Sequence, residues 1–448
     1  MRARHLSLRE QKALRRPDTE TTPQPTAAPV ELQPRRRARP VGKPAAADHR
    51  PRARDERPAR KASRAPRAAP QPQRFFAPCP RGLEAELAKE LAELGAAEVM
   101  PSSGGAAFMG DLRLAWRVNL WSRLAVRVLQ QVGHGRYRAE DDLYAATLAL
   151  PWPAWFGPER TLAVHTVAHA SPLKSLNFAS LRVKDAVCDR FRADCGERPS
   201  VDPRTPDVPL LLYLDREAYT LYLDLTGAPL NRRGLRREAA AAPLNENLAA
   251  GLLRLAGWQP DIPLLDPMMG GGTLLIEAAM MALNIAPGLK RHFAFEHLAS
   301  FDRVEWARLR KDAQAAALTP RALPIYGCDI DPAMVRAAEA NLGAAGVLDC
   351  VRLKRADALT VEAPAAAGIL VSNPPYGVRL QQAEPAAFYR TLGDALKQRF
   401  AGWSAWLLSA DPELPRRIGL KASRRIPLYN GPLECRFYEY RMVAGRPD

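Results

Sequence analysis

Gly368-Ile369-Leu370-Val371-Ser372-Asn373-Pro374-Pro375-Tyr376 is the stretch on which the reading of the fold turns. Its apolar run reads as a buried strand. The two prolines end that strand and fix the backbone just past its carboxyl end, where open α/β sheets place their ligands. They remove two backbone N–H donors and leave the carbonyls as acceptors. The Asn373 carboxamide adds a further acceptor, and Tyr376 offers a flat ring. Such a set suits a planar heterocycle with an exocyclic amino group: carbonyls hold the amino hydrogens while the ring stacks. A plain strand-ending turn with a packed tyrosine uses the same residues, so the decision rests on what lies upstream.

From Pro243 onward, strand and helix patterns alternate, the mark of a doubly wound parallel sheet. Strands are expected near 262–266, 325–329, 350–355, 367–372 and 403–410. A terminal hairpin is expected from Arg424–Tyr429 and Leu433–Met442 around Asn430-Gly431. The implied architecture is a Rossmann-like α/β sheet of seven strands, closed by that hairpin. The first strand runs into Asp266-Pro267-Met268-Met269-Gly270-Gly271-Gly272-Thr273, with a helix expected over Leu274–Leu283. Glycines at a strand-to-helix turn allow close backbone approach to a ligand, and the helix start adds N–H groups. The dinucleotide spacing G-x-G-x-x-G is not met, since Leu275 stands at the third glycine position. The next two strands end in Asp329, suited to ribose hydroxyls, and Asp357, suited to an adenine amino group. Each Asp taken singly is as good a helix cap; Asp331, followed by Pro332, fits that role well. Four polar strand ends in a row favour a ligand site for adenosine joined to an amino acid.

The chain has 448 residues with 47% hydrophobic content, enough for two or three domains with a sizeable core. Its net charge of +17 is uneven: residues 1–74 hold 20 Lys+Arg against 7 Asp+Glu, with 12 prolines and little apolar periodicity. That composition reads as a disordered basic arm in contact with nucleic acid, or a solvated tail. No apolar stretch reaches the roughly 18 residues of a membrane span, and the N-terminus lacks the apolar core of a secretory signal. The six cysteines form no C-x-x-C pair and have no His cluster, so disulfides and a structural metal are not expected. A reduced, cytoplasmic protein follows.

Residues 75–225 read as an α+β block. Helices are expected at 82–94, 112–120, 141–150 and 177–195, and strands at 104–108, 123–132 and 161–168, with a hairpin over 210–225. The helix at 177–195 has a basic face that reads as solvated surface. Residues 226–242 form a linker whose Arg232, Arg233, Arg236 and Arg237 either grip phosphate or simply connect, and 243–448 is the sheet domain.

These strand ends resemble class I S-adenosylmethionine-dependent methyltransferases that modify amino groups. Ala242–Ala250, Asp266–Thr273, Leu274–Ala279, Ala286-Pro287-Gly288, Asn373–Leu380 and Tyr429–Arg436 further resemble the guanine-N2 methyltransferases of large-subunit ribosomal RNA. The resemblance covers about 75–448 and leaves the arm outside. It implies a ferredoxin-like unit and a THUMP RNA-binding region over 75–225, less specific in its motifs. Asp266, Gly270, Gly272 and Thr273 would then surround the methionine part of S-adenosylmethionine, Asp329 the ribose and Asp357 the adenine, with Glu246 and Asn247 as further contacts. Asn373, Pro374, Pro375 and Tyr376 would receive the base. The implied partner is ribosomal RNA or the assembling large subunit. Met269 and Gly271 depart from the Cys and Ser usual in the family, and a backbone-lined loop accommodates both. Some members carry a second methyltransferase domain; with the chain ending at Asp448, no second activity is expected. Other amino acceptors (tRNA guanosine, DNA adenine, protein glutamine) and a non-catalytic RNA-binding protein on the same fold are the alternatives.

Overall fold

The computed structural model describes residues 72–234, 244–374 and 385–443. The arm up to residue 71, Arg236 and Arg237, and Pro375 and Tyr376 lie outside the described residues.

The first half runs β1 (Gln73–Pro78), α1 (Glu84–Glu93), β2 (Ala97–Ser102), β3 (Gly105–Gly110), α2 (Leu112–Trp121), β4 (Leu129–Arg136), α3 (Glu140–Leu148), β5 (Leu162–Ala168), α4 (Leu176–Cys195), β6 (Val208–Leu214) and β7 (Ala218–Asp224). The expected helices are all present. Leu83, Leu87 and Leu91, at helical spacing, are fully buried with Phe75 and Phe108. Three differences from the sequence reading stand out. β1 and β2 were not expected as strands; β2 is exposed along most of its length and has no apolar alternation to signal it. The strand expected at 123–132 begins only at Leu129. Residues 122–126 instead bond elsewhere: Glu90 accepts from Arg123 N–H at 2.9 Å and from Ser122 Oγ at 2.6 Å, and Val126 N–H donates to the Pro78 carbonyl at 2.7 Å. The seven strands also form one continuous sheet, ordered β2-β3-β1-β4-β7-β6-β5, with β4 joining its two parts.

The second half runs α5 (Glu246–Leu255), β8 (Leu264–Asp266), α6 (Thr273–Ala282), α7 (Arg303–Ala315), β9 (Ile325–Asp329), α8 (Pro332–Ala345), β10 (Arg352–Arg355), β11 (Gly368–Ser372), α9 (Pro385–Arg399), β12 (Trp403–Ser409), α10 (Leu414–Ile418), β13 (Arg424–Asn430) and β14 (Leu433–Arg441). Its sheet has the order β10-β9-β8-β11-β12-β14-β13. β8 to β12 pair in parallel, and the β13–β14 hairpin closes the edge antiparallel, as the periodicity implies. The order reverses at β8, which has β9 on one side and β11 on the other. Ligands of doubly wound sheets sit at such a switch point.

The two halves are packed together. Glu277, on α6 and fully buried, accepts from Arg233 Nη2 at 3.1 Å, and its carboxylate lies 2.6 Å from Arg233 Nε and 3.7 Å from Arg123 Nη1. Arg123 also donates to the carbonyls of Met280 and Ile285. Burial pushes its guanidinium down to about 10, against the opposing pull of Glu277. Arg233 is therefore neither a phosphate grip nor a slack connector. Gly288 N–H donates to the Leu120 carbonyl at 2.9 Å, Phe295 N–H to the Leu225 carbonyl at 3.1 Å, and the Trp116 and Phe295 rings stack.

Candidate active site

Three neighbouring strands end in carboxylates. Asp266 closes β8, Asp329 closes β9, and Asp357 follows β10 by two residues; Asn373 follows β11 directly. The parallel register sets Asp266 opposite Gly327 and Arg355 opposite Asp329, so these ends lie along one edge of the sheet.

Asp266 is buried at the centre of that edge. Its Oδ1 accepts from Ser372 Oγ at 2.7 Å and from Met268 N–H at 3.2 Å. Burial pushes its carboxyl up to about 7, the two donors pull it down, and nearby Asp329 adds to the rise. The Ser372 bond ties β8 to β11 immediately before Asn373. Asn373 Oδ1 is buried and has no hydrogen-bond partner among the described residues. A buried, unmatched acceptor costs about 1–3 kcal/mol and needs a reason. A donor arriving with a ligand supplies one. Pro374, beside it, is buried.

The glycine turn leads from β8 into α6. Gly270, at φ +52°, donates its N–H to Asp329 Oδ2 at 3.0 Å, and no atom lies within 4 Å of where its side chain would start. Gly272 is the residue just before α6, at φ +78°, with Ala338 Cβ only 3.2 Å from where its own Cβ would be. Both positions need glycine for conformation. Thr273 is the first residue of α6. Met269 is buried and its N–H donates to the Cys328 carbonyl, so this side chain faces the interior. Open space at Gly270, a helix start and three carboxylates fit a cofactor with a ribose, an adenine and a charged amino acid end. Asp329, Asp357 and Gly270 are also engaged within the loops: Asp329 Oδ1 accepts from Asp331 N–H at 3.0 Å, and Asp357 Oδ1 from Leu359 N–H at 2.9 Å. Asp331 caps α8, bonding Ala333 N–H, as its place before Pro332 implies.

Glu246 starts α5 and is half-buried. Asn247 is buried on the same helix, its Nδ2 3.5 Å from the Leu124 carbonyl of the first half and its Oδ1 accepting from Leu248 N–H. Three residues of the edge escaped the sequence reading. Ser372 stood inside the quoted stretch, and its hydroxyl was the available signal. Asn341, whose Nδ2 holds the Gly271 carbonyl at 3.0 Å, lies deep within α8 and gave none. Ile330 is 61% exposed between Asp329 and Asp331, an apolar side chain set among carboxylates.

The RMKL-like methyltransferase domain family matches residues 233–439, the THUMP domain residues 137–224, and the RlmL ferredoxin-like domain residues 74–129. A Synechocystis protein that bears the name RNA methyltransferase is 40% identical over 82% of this chain and 96% of its own length. A protein named ribosomal RNA large subunit methyltransferase K/L, from Syntrophotalea carbinolica, is 42% identical over 84% of this chain. The chain spans only 54% of that relative's length. Among solved structures, SMU.472, a protein described as a methyltransferase and crystallised with S-adenosylhomocysteine, superposes with a TM-score of 0.76 at 30% identity, covering 84% of this chain and all of that one.

Proposed function

The chain belongs to the family of S-adenosylmethionine-dependent RNA methyltransferases with ferredoxin-like and THUMP domains, and from that premise we propose that it methylates the exocyclic N2 amino group of a guanosine in large-subunit ribosomal RNA, in the cytoplasm. The observation that carries this reading is the buried Asn373 Oδ1 at the end of β11, without a hydrogen-bond partner among the described residues and one residue from the hydroxyl that holds Asp266.

When bound, S-adenosylmethionine supplies an activated methyl group. In this reading Asp266, Gly270, Gly272 and Thr273 hold its methionine end, Asp329 the ribose and Asp357 the adenine amino group. Ile330 gives the adenine an apolar face. Glu246 and Asn247 are the further contacts, Asn247 while also engaged with the Leu124 carbonyl.

The guanine amino group is a poor nucleophile, because its lone pair is delocalised into the ring. Asn373 Oδ1 and the Pro374 carbonyl accept its two hydrogens, which turns the lone pair towards the methyl donor. Both acceptors bond more strongly as positive charge grows on nitrogen, so they favour the transition state over the ground state. Fixed alignment supplies much of the remaining rate. No general base is needed before transfer, since the cationic product loses its proton to water. Pro375 and Tyr376 complete the motif by its order in the sequence, with Tyr376 as the stacking ring. The base must be unpaired or extruded to reach these groups.

The test uses labelled S-adenosylmethionine and large-subunit ribosomal RNA from cells lacking the protein. Digestion to nucleosides should place the label in N2-methylguanosine. Label in adenosine, or none in ribosomal RNA while transfer RNA or protein offered in parallel is labelled, would replace the proposed acceptor.

A further inference from the structure

The N-terminal sheet has one face under helices and one open. Register lines up Phe75, Gln130, Leu223 and Leu210 across β1, β4, β7 and β6, and all four are buried. One residue along, side chains emerge on the opposite face. There Thr220 pairs with Tyr213 and Tyr213 with Val167, while Tyr222 pairs with Leu211 and Leu211 with His165. Tyr213 is 36% and Val167 51% exposed. Phe76 and Tyr222 are half-buried, with ring centroids 6.4 Å apart. Arg74 and Arg136 are exposed on β1 and β4 of the same face. Its carboxylate, Asp224, is buried against Arg127. At the margins, Glu217 is paired with Arg136 at 3.6 Å, and Glu98 sits in the bulge of the edge strand β2.

We propose that this open face is a stacking platform for unpaired bases of the RNA substrate, with Tyr213, Tyr222 and Phe76 as the rings and Arg74 and Arg136 as backbone contacts. The proposal rests on the RNA reading above. A sheet face that carries rings on neighbouring strands gives successive bases flat surfaces to lie on, whatever their identity. A duplex hides the faces of its bases and gains nothing from such a surface. Charge selects the same occupant. Residues 1–74 carry a net +13, and among the described residues the middle of the face, on β4, β7 and β6, offers them no exposed, unpaired acid, whereas a phosphate backbone meets Arg74 and Arg136.

The test is fluorescence anisotropy of the full-length protein with labelled single-stranded RNA of about 12 nucleotides and with an RNA hairpin of equal length. Tyr213→Ser and His165→Ala alter exposed positions, and an unchanged Tm verifies their fold. Tyr213→Ser should weaken single-strand binding roughly fivefold or more. It should leave hairpin binding, S-adenosylmethionine affinity and the salt slope unchanged, because stacking releases no counterions. Arg136→Ala should lower the salt slope by about one. RNA carrying 4-thiouridine should cross-link to the peptides holding Tyr213 and Tyr222. Wild-type affinity in Tyr213→Ser, with cross-links confined to residues 1–71, overturns the platform. So does a dimer in sedimentation that Tyr213→Ser dissolves. If Tyr213→Ser binds and methylates ribosomal RNA normally, the platform falls and the methyl-transfer reading stands. If the wild type methylates no RNA, that reading falls, while the oligonucleotide titrations still decide the platform.

Discussion

At Asp266, burial opposes ionisation and two donors favour it, and the carboxyl settles near 7 against its ordinary 3.8. The folded state thus holds this proton more tightly than the unfolded chain does. Its contribution to stability is full below about pH 4, falls as pH rises through about 7, and is then constant. Asp266→Asn should therefore raise the Tm of the ligand-free protein at pH 8 while weakening S-adenosylmethionine binding. A cationic ammonium beside Asp266 favours its ionised form, so cofactor binding near pH 6 should release a proton, read by calorimetry in buffers of different ionisation enthalpy. Affinity that is flat with pH across this range would remove Asp266 from contact with the ammonium. At Asn373 the expectation is different: Asn373→Ala should lower turnover by about 100-fold or more and spare cofactor affinity, since its acceptor meets the base alone. Both residues were legible in the sequence, because each ends an apolar run in a run of polar or proline residues. The depth of their burial was not legible, because it depends on strands that are distant in the chain.

Helix α6 serves two places at once. Its N-terminus takes the glycine turn at the sheet edge, and its middle turn carries Glu277 into the joint between the halves. The helix is apolar all round, as a helix enclosed on every side must be. Glu277 is the exception, and two arginines account for it. Glu277→Ala leaves Arg123 and Arg233 as buried cations without their carboxylate. That should cost about 3–5 kcal/mol, read as a drop in urea midpoint, with Glu277→Gln losing less. A Glu277→Ala variant as stable as the wild type would show that the joint is held by its backbone bonds and apolar packing alone. The period of α6 and its glycine start could be read locally. The meaning of Glu277 could not, because Arg123 and Arg233 approach it from far upstream in the chain.

Across the whole molecule, the joint predicts cooperation between the halves. Buried ion pairs, backbone hydrogen bonds and stacked rings cross it, so calorimetry should record one unfolding transition over the described body rather than two. Two separated peaks would mean that the halves fold independently. The alternation of strand and helix, the polar ends of four parallel strands and the closing hairpin followed from sequence alone. Each of these is a local pattern: apolar period, turn chemistry and helix capping are fixed by residues a few positions apart. Tertiary structure alone decided that β4 fuses two expected units into one sheet, that β1 and β2 are strands, and that Arg233 is an internal ion-pair partner. It also left one face of that sheet open, with its rings exposed. These features depend on which strand pairs with which and on which surface a partner covers, and a local pattern of residues does not encode contacts between distant parts of the chain.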